Sequence, residues 1–494
     1  MSGLLDFFKF RSRSDSDFEM ESLLSHSYVE FEEDERVIDS YWLIKPFARA
    51  VILEKDYLVI EPELKAAEAV FLEKVHRKLR EKIIIKSEEE LKNKEKILFN
   101  EFLKEARKAD FEETSIGRMW YYLRREAVGY GKIDAVLRDP HIEDISCSGY
   151  NLPVYVYHRA YGSLRTNIVF EEDELDEYVM KLAQKANTQV SLEKPIADAT
   201  LPTGERIQVT YRKVVSTRGS TFSIRKVSEE PISPIDLVAW GTLDLRLAAI
   251  LWMCVDFRLN LLITGSTASG KTTMLNALSL FIPYRVKIVS IEDTREVRLP
   301  HENWTPFLAK DAEEMFELLK AALRQRPEYM IVGEVRGREA ITMFQAMNTG
   351  HTTYSTLHAG DATSAINRLI HEPINVPVAM FDALDLLMVM KIDHISGRMV
   401  RRVKNLYMIR LREGIKIETI PVFSWNKKND AYVEENIRPL FEKLGRICGE
   451  SAEFVEEEAE RREKFLADLL SERPGMRKLV EEIESYRNEF YARL

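Results

Sequence analysis

The sequence predicts an α/β protein: a parallel-rich sheet in the C-terminal half, preceded by a small α+β domain and a helical N-terminal unit. Two patterns carry this. From residue 235 to about 425, short apolar runs alternate with helical segments, as parallel strands covered on both faces do. Between about 132 and 228, short strand-like runs cluster around one amphipathic segment. At 494 residues the chain exceeds one ordinary core, and ~150 residues per domain gives two to four units.

The elements follow in order. Residues 1–20 join Leu4, Leu5, Phe7 and Phe8 to Lys9, Arg11 and Arg13 and then a Ser/Asp stretch, which reads as a flexible tail or a short interfacial anchor. Residues 21–131 form a charged helical interaction domain. In it Pro62 suits a first helical position, Leu64, Ala67, Val70, Phe71, Val75 and Leu79 recur at helical spacing, and Ser87 with Glu90 can cap a second helix carrying Leu91, Leu98 and Phe102.

The small α+β domain, 132–227, holds a hairpin (Pro153 to His158 and Ser163 to Phe170), a helix (Asp173 to Ala186) and strands in RIQVTYRKVV and TFSIRKV. The segment SEEPISP, within 228–234, reads as a linker. The remainder, 235–494, is the parallel-rich domain, with a helical appendage from about 430 that is broken at Pro474-Gly475 and is either solvated or packed.

Composition narrows the chemistry. Charged residues make up 31% and no apolar run reaches the ~18 to 20 residues of a membrane span, so a globular cytoplasmic protein is expected. Cys147, Cys254 and Cys448 lie too far apart in sequence for a Cys-x-x-Cys zinc site and read as buried apolar side chains. A net charge of -10 argues against nucleic acid as the main partner.

The segment NLLITGSTASGKTT places Gly265, then Gly270, Lys271 and Thr272, directly after an apolar strand and before a helix. That context makes it a P-loop. Gly265, Ser266, Thr267, Ala268, Ser269, Gly270, Lys271, Thr272 and Thr273 are expected to wrap the phosphates of ATP, with Lys271 neutralising the β and γ groups and Thr272 ligating Mg²⁺. Three more apolar runs end in polar residues that a core does not need: VKIVSIEDTRE in Glu292, Asp293 and Glu296, YMIVGE in Glu334, and HTTYSTLH in His358. In a doubly wound sheet the carboxyl ends of the strands share one edge, where ligands bind, so these termini should meet the P-loop. His351, seven residues and about 23 Å of strand from His358, cannot share a metal with it and reads as structural.

The P-loop, the box IEDTRE, the strand end IVGEVRGREA and the box TGHTTYSTLHAG occur in the order and spacing of the type II/type IV secretion ATPase superfamily, which the chain resembles over about 130–425. The N-terminal YLVIEPEL resembles archaeal members, and three scattered cysteines cannot build the tetracysteine zinc module of bacterial secretion members. The resemblance implies a RecA-like ATPase domain behind a PAS-like domain, in a cytoplasmic homo-hexamer associated peripherally with the inner face of the membrane and with a polytopic platform protein. It assigns Glu296 as general base, Glu334 to metal and water, and His358 to the histidine box. It draws arginine fingers from Arg206, Arg218 and Arg225, with Arg324 and Arg326 also in segments resembling those that supply them.

The function implied is ATP-driven assembly of a type IV pilus-like filament or type II-like secretion, with an archaeal flagellum motor as a variant. The rivals are a nucleic-acid translocase, whose basic, aromatic stripe is not evident, and a scaffold that binds ATP without turnover.

Overall fold

The computed structural model describes residues 23–24, 26–29, 35–82, 93–226, 231–396 and 398–494. The proposed tail over 1–20, the Ser87 cap and residues 228–230 of the linker lie outside them. The chain divides into two compact units, residues 1–227 and 228–494.

The first unit is built on nine strands: β1 (Asp39–Ile44), β2 (Ala48–Ile52), β3 (Asp56–Ile60), β4 (Ile142–Cys147), β5 (Pro153–His158), β6 (Gly162–Val169), β7 (Ile196–Thr200), β8 (Arg206–Thr210) and β9 (Thr221–Arg225). Their order is β1-β2-β3-β6-β5-β4-β9-β8-β7. The helical domain expected over 21–131 also holds three strands, because β1 to β3 extend the sheet of the following segment through a short parallel pairing of β3 with β6. The Tyr41 and Tyr57 hydroxyls each donate to Asp139 Oδ2 at 2.7 Å, fixing β1 and β3 to the turn before β4.

Helices α1 (Ala66–Lys82), α2 (Lys94–Lys108) and α3 (Glu113–Ala127) form a separate core in this unit around Val75, Leu79, Phe99, Phe102 and Trp120. The first helix starts four residues after Pro62, and Val70, read as part of the apolar stripe, is 70% exposed. The short α4 (Asp134–Arg138) and the helix α5 (Glu172–Lys185) complete the unit. Cys147 and Cys254 are buried, and Cys448 is partly so.

In the second unit α6 (Pro234–Ala239) and α7 (Leu245–Asp256) lead into β10 (Leu261–Gly265), whose residues are buried throughout. There follow α8 (Lys271–Ser279), β11 (Ile288–Glu292), β12 (Trp304–Leu308), α9 (Ala312–Arg324), β13 (Tyr329–Val335), α10 (Glu339–Asn348), β14 (Thr352–His358) and α11 (Ala362–Ile370). Then come β15 (Leu386–Ile395), β16 (Arg398–Arg412), β17 (Lys416–Asn426) and β18 (Ala431–Glu434), and the helices α12 (Arg438–Cys448), α13 (Ala452–Glu472) and α14 (Met476–Arg493).

The sheet order is β12-β11-β13-β14-β10-β15-β16-β17-β18. The six strands from β12 to β15 run parallel, and β16 to β18 add antiparallel neighbours. Alternate residues of β10 feed two cores, Leu261 and Ile263 on one face and Leu262 on the other. Burial on both faces is why these strands read as continuous apolar runs.

The C-terminal helices belong to the first of those cores, through Val455, Leu466, Leu479 and Phe490. Of the two readings of this segment, packing is what the structure displays.

Candidate active site

Parallel register brings the expected strand ends to one edge. Gly265 at the end of β10 pairs with His358 at the end of β14, and β14 pairs with β13, where Val335 meets Leu357. On the far side of β13 lies β11, ending in Glu292.

The loop from Gly265 to Lys271 needs glycine for geometric reasons. Gly270, which caps α8, has φ +88°, and a Cβ on Gly265 would lie 2.5 Å from Ser269 Oγ and 2.7 Å from the Met390 carbonyl oxygen. Lys271 is 8% exposed and donates from Nζ to the carbonyls of Gly265 and Ser266, each at 3.1 Å. Its Nζ is also 3.5 Å from His358 Nε2. Burial first, and then the Lys271 charge, lower the His358 pKa, so the imidazole is neutral at physiological pH, with the Nε2 lone pair toward the ammonium.

Glu334 lies between this pair and the acidic box. Its Oε1 is 3.8 Å from His358 Nε2, and its Oε2 accepts from Arg336 Nη2 at 2.7 Å. The other arm of Arg336 is 3.1 Å from Asp293 Oδ2. The Thr356 hydroxyl donates to the Gly333 carbonyl at 2.7 Å and ties the two strand ends together.

Glu296 is four residues beyond the end of β11, in a loop held by its backbone. Its N–H donates to Glu292 Oε1 at 2.9 Å, its carbonyl accepts from Asn276 Nδ2 at 2.8 Å, and Val297 N–H donates to the same Glu292 oxygen at 2.7 Å. Glu292, 2% exposed, packs under Gly333, where a Cβ would come within 3.1 Å of its Cγ. Gly333 is thus a place of close approach to the carboxylate that anchors the acidic loop.

Not every expected residue meets here. Arg324 and Arg326 precede the start of β13, and the strand from Tyr329 to Glu334, about 17 Å, separates them from the edge where Glu334 lies in the same chain. His351, just before β14, is likewise at the opposite end, with Nδ1 3.2 Å from Thr349 Oγ1. Arg206, Arg218 and Arg225 belong to the first unit, where Arg206 on β8 registers against Arg225 on β9 and Arg218 lies in the turn before Gly219.

Four contributors went unread in the sequence: Glu292 as an anchor, Asn276, Arg336 and Arg401, whose Nε donates to the Ala268 carbonyl at 2.8 Å. Asn276 carried a signal, a lone amide in the apolar run MLNALSLF.

The residues at this edge fit a phosphate group and a hard cation. The glycine-dependent cradle, the helix N-terminus of α8 and the Lys271 ammonium supply the first. The Thr272 hydroxyl and the Glu334 carboxylate are oxygen donors of the kind Mg²⁺ accepts, few in number as Mg²⁺ tolerates when phosphate and water complete its shell.

Comparison with known proteins follows the same lines. The chain is 39% identical over 364 residues to the uncharacterized protein MJ0900 of Methanocaldococcus jannaschii, covering 71% of this chain and 66% of that one. It is 34% identical over 227 residues to the type IV secretion system protein PtlH of Bordetella pertussis, 40% of this chain and 67% of the other. The chain thus spans about two thirds of the length of each. Among solved structures, the ATPase DotB of Legionella pneumophila aligns with a TM-score of 0.39 at 20% identity, covering 56% of this chain and 78% of that chain. Residues 155–402, from β5 to the strand that carries Arg401, match the family described as type II/IV secretion system protein, and the chain belongs to that family.

Proposed function

We propose that the chain is an ATP-hydrolysing motor, acting as a homo-hexamer on a polytopic membrane platform protein at the cytoplasmic face of the membrane. Its work is assembly of a type IV pilus-like filament or secretion of protein. The observation that carries the reading is the run of contacts along one sheet edge, from Lys271 to His358 at 3.5 Å and from His358 to Glu334 at 3.8 Å, beside a P-loop. Relatives in Methanocaldococcus jannaschii favour an archaeal system, and similarity to the type IV secretion system protein PtlH favours secretion.

In this reading Lys271 and the N–H groups of the loop bind the β and γ phosphates, and Thr272 and Glu334 hold Mg²⁺. Mg²⁺ bound there supplies charge neutralisation on the phosphate oxygens. Glu296 takes a proton from the water that attacks the γ-phosphorus as the bond to ADP breaks. Neutral His358 is placed to position that water or sense the γ phosphate. Arg206, Arg218 and Arg225 act as a group, stabilising charge on the transferring phosphoryl group across a subunit boundary, an effect on the order of 10³ to 10⁵ in related chemistry.

The test separates the two glutamates. Glu296→Gln should bind a fluorescent ATP analogue as the parent does while phosphate release falls by about 10² or more. Near-normal turnover in that variant sinks the base assignment.

A further inference from the structure

Arg336 is a charged residue at the site's edge that the mechanism above does not use. Its backbone is pinned, because the carboxylate of Glu339, itself 3% exposed, accepts from the N–H groups of both Arg336 and Gly337. From that fixed base the guanidinium spans two acids, Glu334 Oε2 on β13 at 2.7 Å and Asp293 Oδ2 in the loop after β11 at 3.1 Å. A planar fork makes such a double contact; a lysine ammonium would be a point charge between them. The Arg336 side chain is 61% exposed, so folding does not depend on burying it.

Glu334 is thus already partnered on the oxygen that turns away from His358. A divalent cation that takes Glu334 as a donor meets a full positive charge within hydrogen-bond distance of the same carboxylate. Both cannot be held at full strength.

We propose that Arg336 is a cation gate on Glu334: the guanidinium occupies the carboxylate until Mg²⁺-nucleotide displaces it, and it then rests on Asp293. This deepens the nucleotide reading of the site and rests on it. The exchange sets a threshold for Mg²⁺ and links the acidic loop carrying Glu296 to the occupancy of Glu334, since Asp293 lies in that loop. Arg336 is a positioning residue in this scheme, acting through Glu334.

The experiment is a Mn²⁺ titration followed by electron paramagnetic resonance on the full chain saturated with a non-hydrolysable ATP analogue, for the parent, Arg336→Ala and Arg336→Lys, with thermal unfolding of each as a folding control. Removing the guanidinium should tighten Mn²⁺ binding on the order of threefold to tenfold, with the lysine variant in between. Unchanged or weaker Mn²⁺ binding in Arg336→Ala, with the analogue still bound, overturns the gate alone. A parent chain that binds no analogue overturns the nucleotide reading and the gate with it.

Discussion

Glu292 ends an apolar strand with a carboxyl group that is 2% exposed, and burial above all raises its pKa from 4.5 to about 7; the nearby Glu296 and Asp293 charges push the same way, and the two N–H groups it accepts pull it back. The sign of the consequence follows from proton counting. Between pH 4.5 and about 7 the folded chain holds a proton that the unfolded chain has released, so this group's contribution to stability declines as pH rises through that window and levels off above it. Glu292→Gln keeps an oxygen acceptor for the N–H groups of Glu296 and Val297 and removes the titration. Relative to the parent, the variant should gain about 3 kcal/mol as pH rises across the window, read from urea unfolding of the second unit from pH 5 to 8. A parallel pair of stability curves would contradict a buried, proton-holding Glu292. At this scale the sequence was most legible where a polar residue broke the logic of burial: Lys271, Glu334 and His358 close strands or loops that need no charge. Glu292 did the same, but its anchoring role depends on the side of β11 that faces Gly333, which no linear pattern reveals.

The helix that follows the P-loop is capped from afar. Phe281, just beyond α8, offers its carbonyl to Arg487 Nη2 on α14, and Tyr284 N–H donates to Glu484 at 3.0 Å. The same Arg487 donates from Nε to Asp256 Oδ1 at 2.8 Å, while Arg462 on α13 donates to Asp256 Oδ2 at 2.6 Å and to Glu458 Oε1 at 3.0 Å. Arg462 also stacks over Trp252, 4.5 Å from the ring centre. Asp256 and Arg462 are wholly buried as side chains and Arg487 nearly so, so removing the shared carboxylate takes one anionic partner from each of two buried guanidinium groups. Asp256→Ala should destabilise the second unit by about 3 to 5 kcal/mol, seen as a lowered urea midpoint; a loss within the range of an ordinary surface substitution would mean the network is dispensable. The C-terminal helices were legible from periodicity, but which of their charges went inside was not, because a buried Arg and an exposed one look alike until Asp256 faces them. Strands β1 to β3 escaped for a related reason: each is five or six residues long, and they join the larger sheet through a short parallel pairing of Asp56 with Arg165 and Tyr57 with Thr166.

Across the whole chain, topology performs the assembly of the site. Parallel strands β11, β13, β14 and β10 stand side by side, so four polar termini separated by about a hundred residues of sequence share one edge. This convergence was readable from the alternation of strands and helices, and the family match covers it. The antiparallel extension β16 to β18 was not, although it carries Arg401 to the P-loop carbonyl of Ala268. If this edge hydrolyses ATP as proposed, steady-state phosphate release by the purified full chain with Mg²⁺, run beside Lys271→Ala, shows turnover in the parent, with both turnover and tight ATP binding lost in the variant; release that persists unchanged in Lys271→Ala, or none from the parent under any condition while it binds ATP, overturns the proposal.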